Sequence, residues 1–383
     1  MPDISYAFSN AVGGPTLHKN IEPLVSDLEA LRDARAKIKS ALVTSIEEYT
    51  QKRENGGRKI TPKFWIQGSI AYKTVNAPAH NPPQEVDCDY GVYLPIQFHQ
   101  KLPPAAAAKA YFNLVEETLR GLTRREQNWE IDFSKTTCVR VSLGKRTHID
   151  LPLYAVPEEG YQRLITEAAK RLDSSMMKIA AASVNENKWL YDLDEVHLAM
   201  RDGSWLPSDP IKIREWFENQ VAIHRNDLVR LCKYLKAWRD WQWTEKGPTS
   251  ICLMAGAVAN YNGSLNSDHE RLESAVESLL VQFRSGTISN PDGGGENLLE
   301  RLGNDGIKIA IQRLERFHLQ VAGARAAGTP LRTSHEMMRQ EFGPRFPEYY
   351  EDKSTSIRNL VSSAPAQVTS SPRIPSKSTS GQC

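Results

Sequence analysis

Asp87 and Asp89 stand two residues apart in the run Val86-Asp87-Cys88-Asp89-Tyr90-Gly91-Val92-Tyr93-Leu94, which alternates like a strand. Successive side chains of an extended chain point to opposite faces. The two carboxylates therefore project together, while Val86, Cys88 and Tyr90 point the other way into a core. Two carboxylates held so close raise each other's pKa unless a cation sits between them, and a divalent metal meets that need. Magnesium takes oxygen ligands and keeps waters and substrate phosphates in its shell, which suits a bare Asp-x-Asp better than a full protein cage. A lone Asp-x-Asp also has an ordinary reading, two exposed aspartates on an edge strand, so its neighbours decide.

Upstream, Gln67-Gly68-Ser69 offers a glycine that lets backbone approach closely and a serine with hydroxyl and N–H donors, as a triphosphate requires. Downstream, Asp150 lies in Thr147-His148-Ile149-Asp150-Leu151-Pro152, where Ile149, Leu151 and Leu153 keep the inward positions. A third acid on a neighbouring strand completes a two-metal site, in which one ion activates an attacking hydroxyl and the other steadies a leaving phosphate. In this order the three pieces form a nucleotidyltransferase signature of the DNA polymerase β type. His148 alternates with Asp150 and offers a general base, although two-metal chemistry deprotonates a hydroxyl without one. Lys236 lies in a basic band with Arg230, Lys233 and Arg239, and such a helix face is ordinarily only solvated. Tyr72 and Tyr90 suit core packing as well as base stacking, and Ser208 before Asp209-Pro210 suits a helix N-cap.

These residues need a sheet to carry them and helices to cover it. Leu24, Leu28, Leu31, Ile38, Leu42 and Ile46 recur at helical spacing, which predicts a long amphipathic helix over 23–50. A second helix is expected over 104–122. Trp129, Ile131 and Phe133, then Val139, Val141 and Leu143, then Ile149, Leu151 and Leu153 alternate as neighbouring strands do. From 161 the pattern turns helical, most clearly over 227–241, where Leu228, Leu231, Leu235 and Trp238 share one face. The expected fold is α/β (α+β). It has a polar leader (1–22), a nucleotidyltransferase core with a mixed sheet and an N-terminal spine helix (23–157), a mainly helical C-terminal domain (158–355) and a disordered tail (356–383). From Ser362 the tail holds seven Ser, two Thr, three Pro and no acidic residue, too little apolar surface to offset its ordering entropy. Residues 285–297, with Asn290-Pro291-Asp292 and three consecutive glycines, read as a mobile loop or linker.

At 383 residues the chain has room for two or three packed units. A composition of 40% hydrophobic and 25% charged residues excludes a wholly disordered or collagen-like chain. Forty-eight basic residues against 46 acidic ones leave a net charge of +2, which argues against coating duplex nucleic acid but permits a local basic pocket. The five cysteines, at 88, 138, 232, 252 and 383, form no CxxC pair and no Cys/His cluster at zinc spacing, and they fit a reducing compartment. Residues 1–14 show no basic-then-apolar leader, and the longest apolar run, 251–259, is far short of the ~20 residues that cross a bilayer. A soluble cytoplasmic protein, off the membrane, is expected.

The stretches 64–69, 72–78, 84–95, 135–157, 205–217 and 235–253 resemble the bacterial cyclic dinucleotide synthases of the DncV type. The phrases Gln67-Gly68-Ser69-Ile70-Ala71-Tyr72 and Leu235-Lys236-Ala237-Trp238-Arg239-Asp240 carry most of the specificity. These enzymes are CD-NTases, relatives of animal cyclic GMP-AMP synthase, and the likeness covers most of residues 60–260. It implies that Asp87, Asp89 and Asp150 hold two magnesium ions, or manganese in their place, with Asp150 most concerned with the ion that activates a ribose hydroxyl. It implies that Gln67, Gly68 and Ser69 line the donor triphosphate, that Tyr72 lies against a base or ribose, and that Arg140 contacts phosphate or base in the acceptor half. Ser208 matches a nucleotide-contacting serine, and Lys236 and Ser250 match a pair of triphosphate ligands. A lysine ammonium is a point charge suited to phosphate, and Ser250, just past Gly247-Pro248-Thr249, sits where a helix would begin.

The activity implied by the resemblance is joining of ATP and GTP by two successive transfers to 3′,3′-cyclic GMP-AMP or a related cyclic dinucleotide, a second messenger of CBASS anti-phage defence. The implied partners are an effector switched on by the product and an E1/E2-like enzyme that conjugates the C-terminal residue, here Cys383 where the family frequently has glycine. The zinc-bearing insertion through which animal relatives sense DNA has no counterpart, so direct DNA sensing is not expected. Two other classes stay open: a linear nucleotidyltransferase acting on an RNA end or small acceptor, and a non-catalytic nucleotide-binding sensor.

Overall fold

The computed structural model describes residues 4–10, 14–53, 59–95, 104–156, 196–208 and 210–349. After a π-helical turn at Tyr6–Asn10 come α1 (Leu17–Asn20) and the long α2 (Val25–Arg53). Then follow β1 (Lys63–Ile66), the single turn α3 (Gly68–Ala71), β2 (Val86–Pro95) and α4 (Pro104–Thr123). Strands β3 (Trp129–Asp132), β4 (Val139–Leu143), β5 (Thr147–Leu151), β6 (Leu153–Val156), β7 (His197–Ala199) and β8 (Trp205–Pro207) come next. The remainder is helical: α5 (Pro210–Gln242), α6 (Ser250–Val258), α7 (Asp268–Ser285), α8 (Gly303–Arg325) and α9 (Leu331–Phe342). Helix α5 is broken at Arg225, whose φ of 61° is left-handed.

Strand β2 organises the mixed sheet. Its first half pairs in parallel with β5, and its second half pairs in parallel with β6 and antiparallel with β1. The described strands run β3-β4-β5-β2-β6-β7-β8, with β1 added on β2. The β2–β5 register sets Asp87 against His148 and Asp89 against Asp150, and the β4–β5 register sets Arg140 against Asp150. The alternation read from sequence holds: Val86, Cys88 and Tyr90 are buried on the face away from the acids.

Among the described residues two large apolar cores support this frame, with a smaller cluster around Trp65, Tyr93 and Tyr154. In the first, Leu31, Ile38, Leu42 and Ile46 of α2 and Tyr111, Phe112, Val115 and Leu119 of α4 pack on the sheet residues Val86, Cys88, Val141 and Ile149. Leu24 and Leu28, expected in the same stripe, stay exposed, and the start of α2 is fixed instead by Arg146, which forks Asp27 at 3.1 and 2.8 Å. The second core joins α5 to α9 around Leu228, Leu231, Leu235 and Trp238, the face expected from their spacing.

Three expectations need correction. The stretch read as a polar leader contributes Ile4, Ala7, Phe8, Leu17 and Ile21 to the helical core, because these apolar side chains turn inward. Residues 197–207, assigned to the helical half, form β7 and β8 and extend the sheet from β6. Residues 285–297 are no linker: Ser289 bridges Asn297, Leu298 N–H donates to Ile288 O at 2.8 Å, and Ile288 and Leu298 are buried in the helical core. The expected boundary at 157/158 and the tail 356–383, with Cys383, lie outside the described residues. Among the described residues no helix is long and apolar enough to cross a membrane.

Candidate active site

A cleft of about 550 Å³ opens over the face of β2 and β5 that carries Asp87, Asp89 and His148 and is walled by α5 and the start of α6. Of the residues singled out from sequence, Gly68, Ser69, Tyr72, Asp87, Asp89, Lys236 and Ser250 line it. Gly68 is required by close approach. Its φ is +60°, and a Cβ there would lie 1.9 Å from Asp89 Oδ2, so only glycine brings the α3 turn against the acid.

The acids differ in environment. Burial first, then the neighbouring Asp87 and Asp150 charges, push the Asp89 carboxyl well above its ordinary value. Burial would raise Asp87 too, but the adjoining His148 outweighs it and the net direction is down. His148 Nε2 lies 2.9 Å from Asp87 Oδ1, and His148 Nδ1 lies 2.7 Å from Glu85 Oε2. Asp150 is clasped by Arg140, with Nε donating to Oδ1 at 2.6 Å and Nη2 to Oδ2 at 2.7 Å. Ligand atoms of Asp87, His148 and Asp150 fall within 4.8 Å of one another.

The nucleotidyltransferase fold implies a divalent metal, and the donor set fits one. Asp87 Oδ1 is buried without an in-line hydrogen-bond donor, and Asp89 stays charged only beside a compensating cation. His148 offers no free base, because a carboxylate faces each of its ring nitrogens.

Across the cleft, Lys236 is 6% exposed and donates to Thr74 O at 2.6 Å. Burial lowers its ammonium pKa to about 8. The rest of the basic band is ion-paired: Arg230 with Asp227 and Asp268, Lys233 with Glu22, and Arg239 with Asp240. Among the described residues Lys236 thus stands out as the buried cation of this band without a carboxylate partner. Ser250 opens α6 beneath the Thr249 N-cap, whose hydroxyl accepts from Cys252 N–H, and Arg239 reaches Ser250 Oγ at 3.4 Å. Tyr72 packs on Phe217, with ring centroids 5.5 Å apart, and also lines the cleft.

Three residues expected to contact nucleotide, Gln67, Arg140 and Ser208, do not line the cleft, and Arg140 is engaged by Asp150. Gln67 N–H bonds Asp89 O at 2.9 Å and prolongs the β1–β2 ladder, which turns its side chain away from the cleft. There it is buried, donating to Tyr93 OH and accepting from Tyr154 OH at 3.2 Å. Ser208 hydrogen-bonds the same Tyr154 and is absent from the cleft lining. Sequence reasoning also missed Glu85 and Gln84. Glu85 precedes Asp87 by two and so shares its face, a signal available in the sequence. Gln84 donates to Asp240 O and Trp243 O, both at 2.8 Å, tying the cleft rim to the end of α5 through contacts that only the tertiary fold creates.

Sheet topology, paired acids and facing lysine together define a nucleotidyltransferase architecture. The profile for the cyclic GMP-AMP synthase DncV-like nucleotidyltransferase domain matches residues 62–154, and that for the cyclic GMP-AMP synthase C-terminal domain matches residues 225–352. A cyclic GMP-AMP synthase of Vibrio cholerae is 34% identical over 255 residues, 63% of this chain and 57% of that relative, so the match spans little more than half of the relative's length. One from Escherichia coli strain TW11681 is 30% identical over 299 residues, 75% of this chain and 68% of the relative. The crystal structure of Vibrio cholerae DncV superposes with a TM-score of 0.71 at 23% identity, covering 90% of this chain and 96% of that one. Its complex with the linear intermediate 5′ pppA(3′,5′)pG gives 0.70 at 24% identity. The chain belongs to the DncV-like nucleotidyltransferase family.

Proposed function

We propose that the protein is a cyclic dinucleotide synthase that joins ATP and GTP to 3′,3′-cyclic GMP-AMP or a related ring. The observation that carries this reading is the register of β2 and β5, which pairs Asp89 with Asp150 and leaves Asp87 and Asp89 on the wall of a cleft whose far side presents Lys236 and Ser250. Relatives that bear the name cyclic GMP-AMP synthase support it.

In this reading Asp87, Asp89 and Asp150 would hold two magnesium ions, which would supply activation of an attacking hydroxyl and neutralisation of charge on a leaving phosphate. Lys236 supplies a buried point charge to the donor triphosphate, and Ser69 and Ser250 supply hydrogen-bond donors from opposite sides. Tyr72 gives an aromatic wall for a base or ribose. Arg140 fixes the orientation of Asp150. A ribose hydroxyl of one nucleotide then attacks the α-phosphate of the other and pyrophosphate leaves. A second attack, by the free hydroxyl of the linear product on the α-phosphate of its remaining triphosphate, releases a second pyrophosphate and closes the ring. Positioning and charge neutralisation carry most of such chemistry. A role in anti-phage signalling, an effector that the product activates and conjugation at Cys383 extend the reading and rest on the family resemblance.

The test is incubation of purified protein with all four ribonucleoside triphosphates and magnesium, then phosphatase treatment and mass spectrometry, beside an Asp87→Ala/Asp89→Ala control. A phosphatase-resistant cyclic dinucleotide that the control does not make is the expected result. A phosphatase-sensitive product indicates linear transfer, and nucleotide binding without product indicates a sensor.

A further inference from the structure

We propose that Glu85 and His148 are positioning residues that together fix the Asp87 carboxylate for metal binding. Glu85 lies just ahead of β2 on the face that carries Asp87, and parallel pairing brings His148 directly opposite Asp87. The imidazole spans the two acids: Nδ1 is 2.7 Å from Glu85 Oε2, and Nε2 is 2.9 Å from Asp87 Oδ1. The hydrogen bond from Nδ1 to Glu85 fixes the ring plane, and the Nε2 edge, 2.9 Å from Asp87 Oδ1 but out of hydrogen-bond line, limits where that oxygen can sit.

The need for such a device is local to Asp87. Asp89 rests against the Gly68 backbone, and Asp150 is forked by Arg140. Asp87 Oδ1 is buried with no in-line donor among the described residues, so the ring edge is what confines it. His148 is 6% exposed and Glu85 lies on the cleft wall, an arrangement that puts the fixed ring beneath the acid and its anchor at the rim. Partners that orient a ligating side chain commonly govern metal affinity, and their loss costs about 10–100-fold.

This inference rests on the reading of Asp87 as a metal ligand, and it is tested apart from product formation. Full-length protein without nucleotide is titrated with Mn2+, and free Mn2+ is counted by electron paramagnetic resonance. His148→Ala and Glu85→Ala are each expected to weaken Mn2+ binding about 10–100-fold. Glu85→Gln still offers Nδ1 an acceptor and is expected to keep most of the affinity. Because Glu85 acts through the ring, the double variant is expected to bind no worse than His148→Ala alone. Glu85, at the rim, is the variant least exposed to misfolding, and circular dichroism checks each one. Unchanged Mn2+ affinity in folded Glu85→Ala, or losses that add in the double variant, overturns the proposal. A parent that binds Mn2+ but makes no cyclic dinucleotide overturns the synthase reading and leaves this one standing. A parent that binds no Mn2+ overturns both.

Discussion

Arg140 clasps Asp150 through two parallel hydrogen bonds at 2.6 and 2.7 Å across directly paired positions of β4 and β5. Both side chains are largely buried, 23% and 13% exposed. Removing one partner of such a pair leaves the other charge uncompensated, here beside Asp87 and Asp89. Arg140→Ala is expected to destabilise the protein by about 3–5 kcal/mol in urea unfolding at pH 7. Arg140→Lys keeps the charge but not the fork and is expected to recover only part of that loss. A urea midpoint for Arg140→Ala equal to the parent's would remove Arg140 from this role.

Lys236 gives the cleft a pH-dependent charge. Its ammonium is lowered to about 8, chiefly by burial, so the group is charged below that pH and neutral above it. Affinity for a non-hydrolysable triphosphate is therefore expected to be highest below pH 8 and to fall above it, by about tenfold once the charge is gone, the order of one charge-assisted hydrogen bond. Lys236→Met is expected to bind weakly at every pH and to lack this limb. Calorimetry from pH 6.5 to 9.5 measures it, and a flat profile for the parent contradicts the assignment.

At Gly68 a methyl group would meet the Asp89 carboxylate at 1.9 Å, and the backbone is left-handed. Gly68→Ala therefore forces either the α3 turn or Asp89 to move. The expected outcome is loss of nucleotidyl transfer with a stability cost of about 1–2 kcal/mol from the φ alone. Thermal unfolding together with the product assay checks both parts. Full activity in Gly68→Ala would show that Asp89 has room the structure does not display.

The legible parts of this protein were those set by short periods along the chain. Alternation placed Asp87 and Asp89 on one face and Val86, Cys88 and Tyr90 on the other, and helical spacing found α4 and the Trp238 face of α5. What escaped depends on how distant pieces pair. The Asp87–His148 register exists only once β2 and β5 lie side by side. Gln67 reads as a cleft residue until its N–H joins the β1–β2 ladder and its side chain turns to Tyr93 and Tyr154. Strands of three residues, β7 and β8, are too short to show a period. The N-terminal segment looked polar because Ile4, Phe8, Leu17 and Ile21 are spread thinly, yet each is buried.

That N-terminal segment is tied to the helical core at Asp268, which is 7% exposed. Asp268 accepts from Ser9 Oγ at 2.7 Å, Tyr234 OH at 2.9 Å, and the Arg230 guanidinium at 2.9 and 3.1 Å. Burial alone would raise its pKa, but these donors and the Arg230 charge outweigh it and hold the carboxyl below its ordinary value of about 3.9. For an acid whose pKa is depressed on folding, the unfolded chain binds the proton more readily. The stabilisation is complete above the unfolded value and is lost as pH falls through the folded one. Asp268→Asn is expected to cost about 1.5–3 kcal/mol at pH 7, since Arg230 and Arg271 lose one of the two carboxylates they share and keep Asp227. The difference from the parent is expected to shrink progressively below pH 4, where the parent's own carboxylate is titrated. Urea unfolding at pH 7, 5 and 3 measures both, and a pH-independent difference would mean that Asp268 contributes through packing and not through its charge.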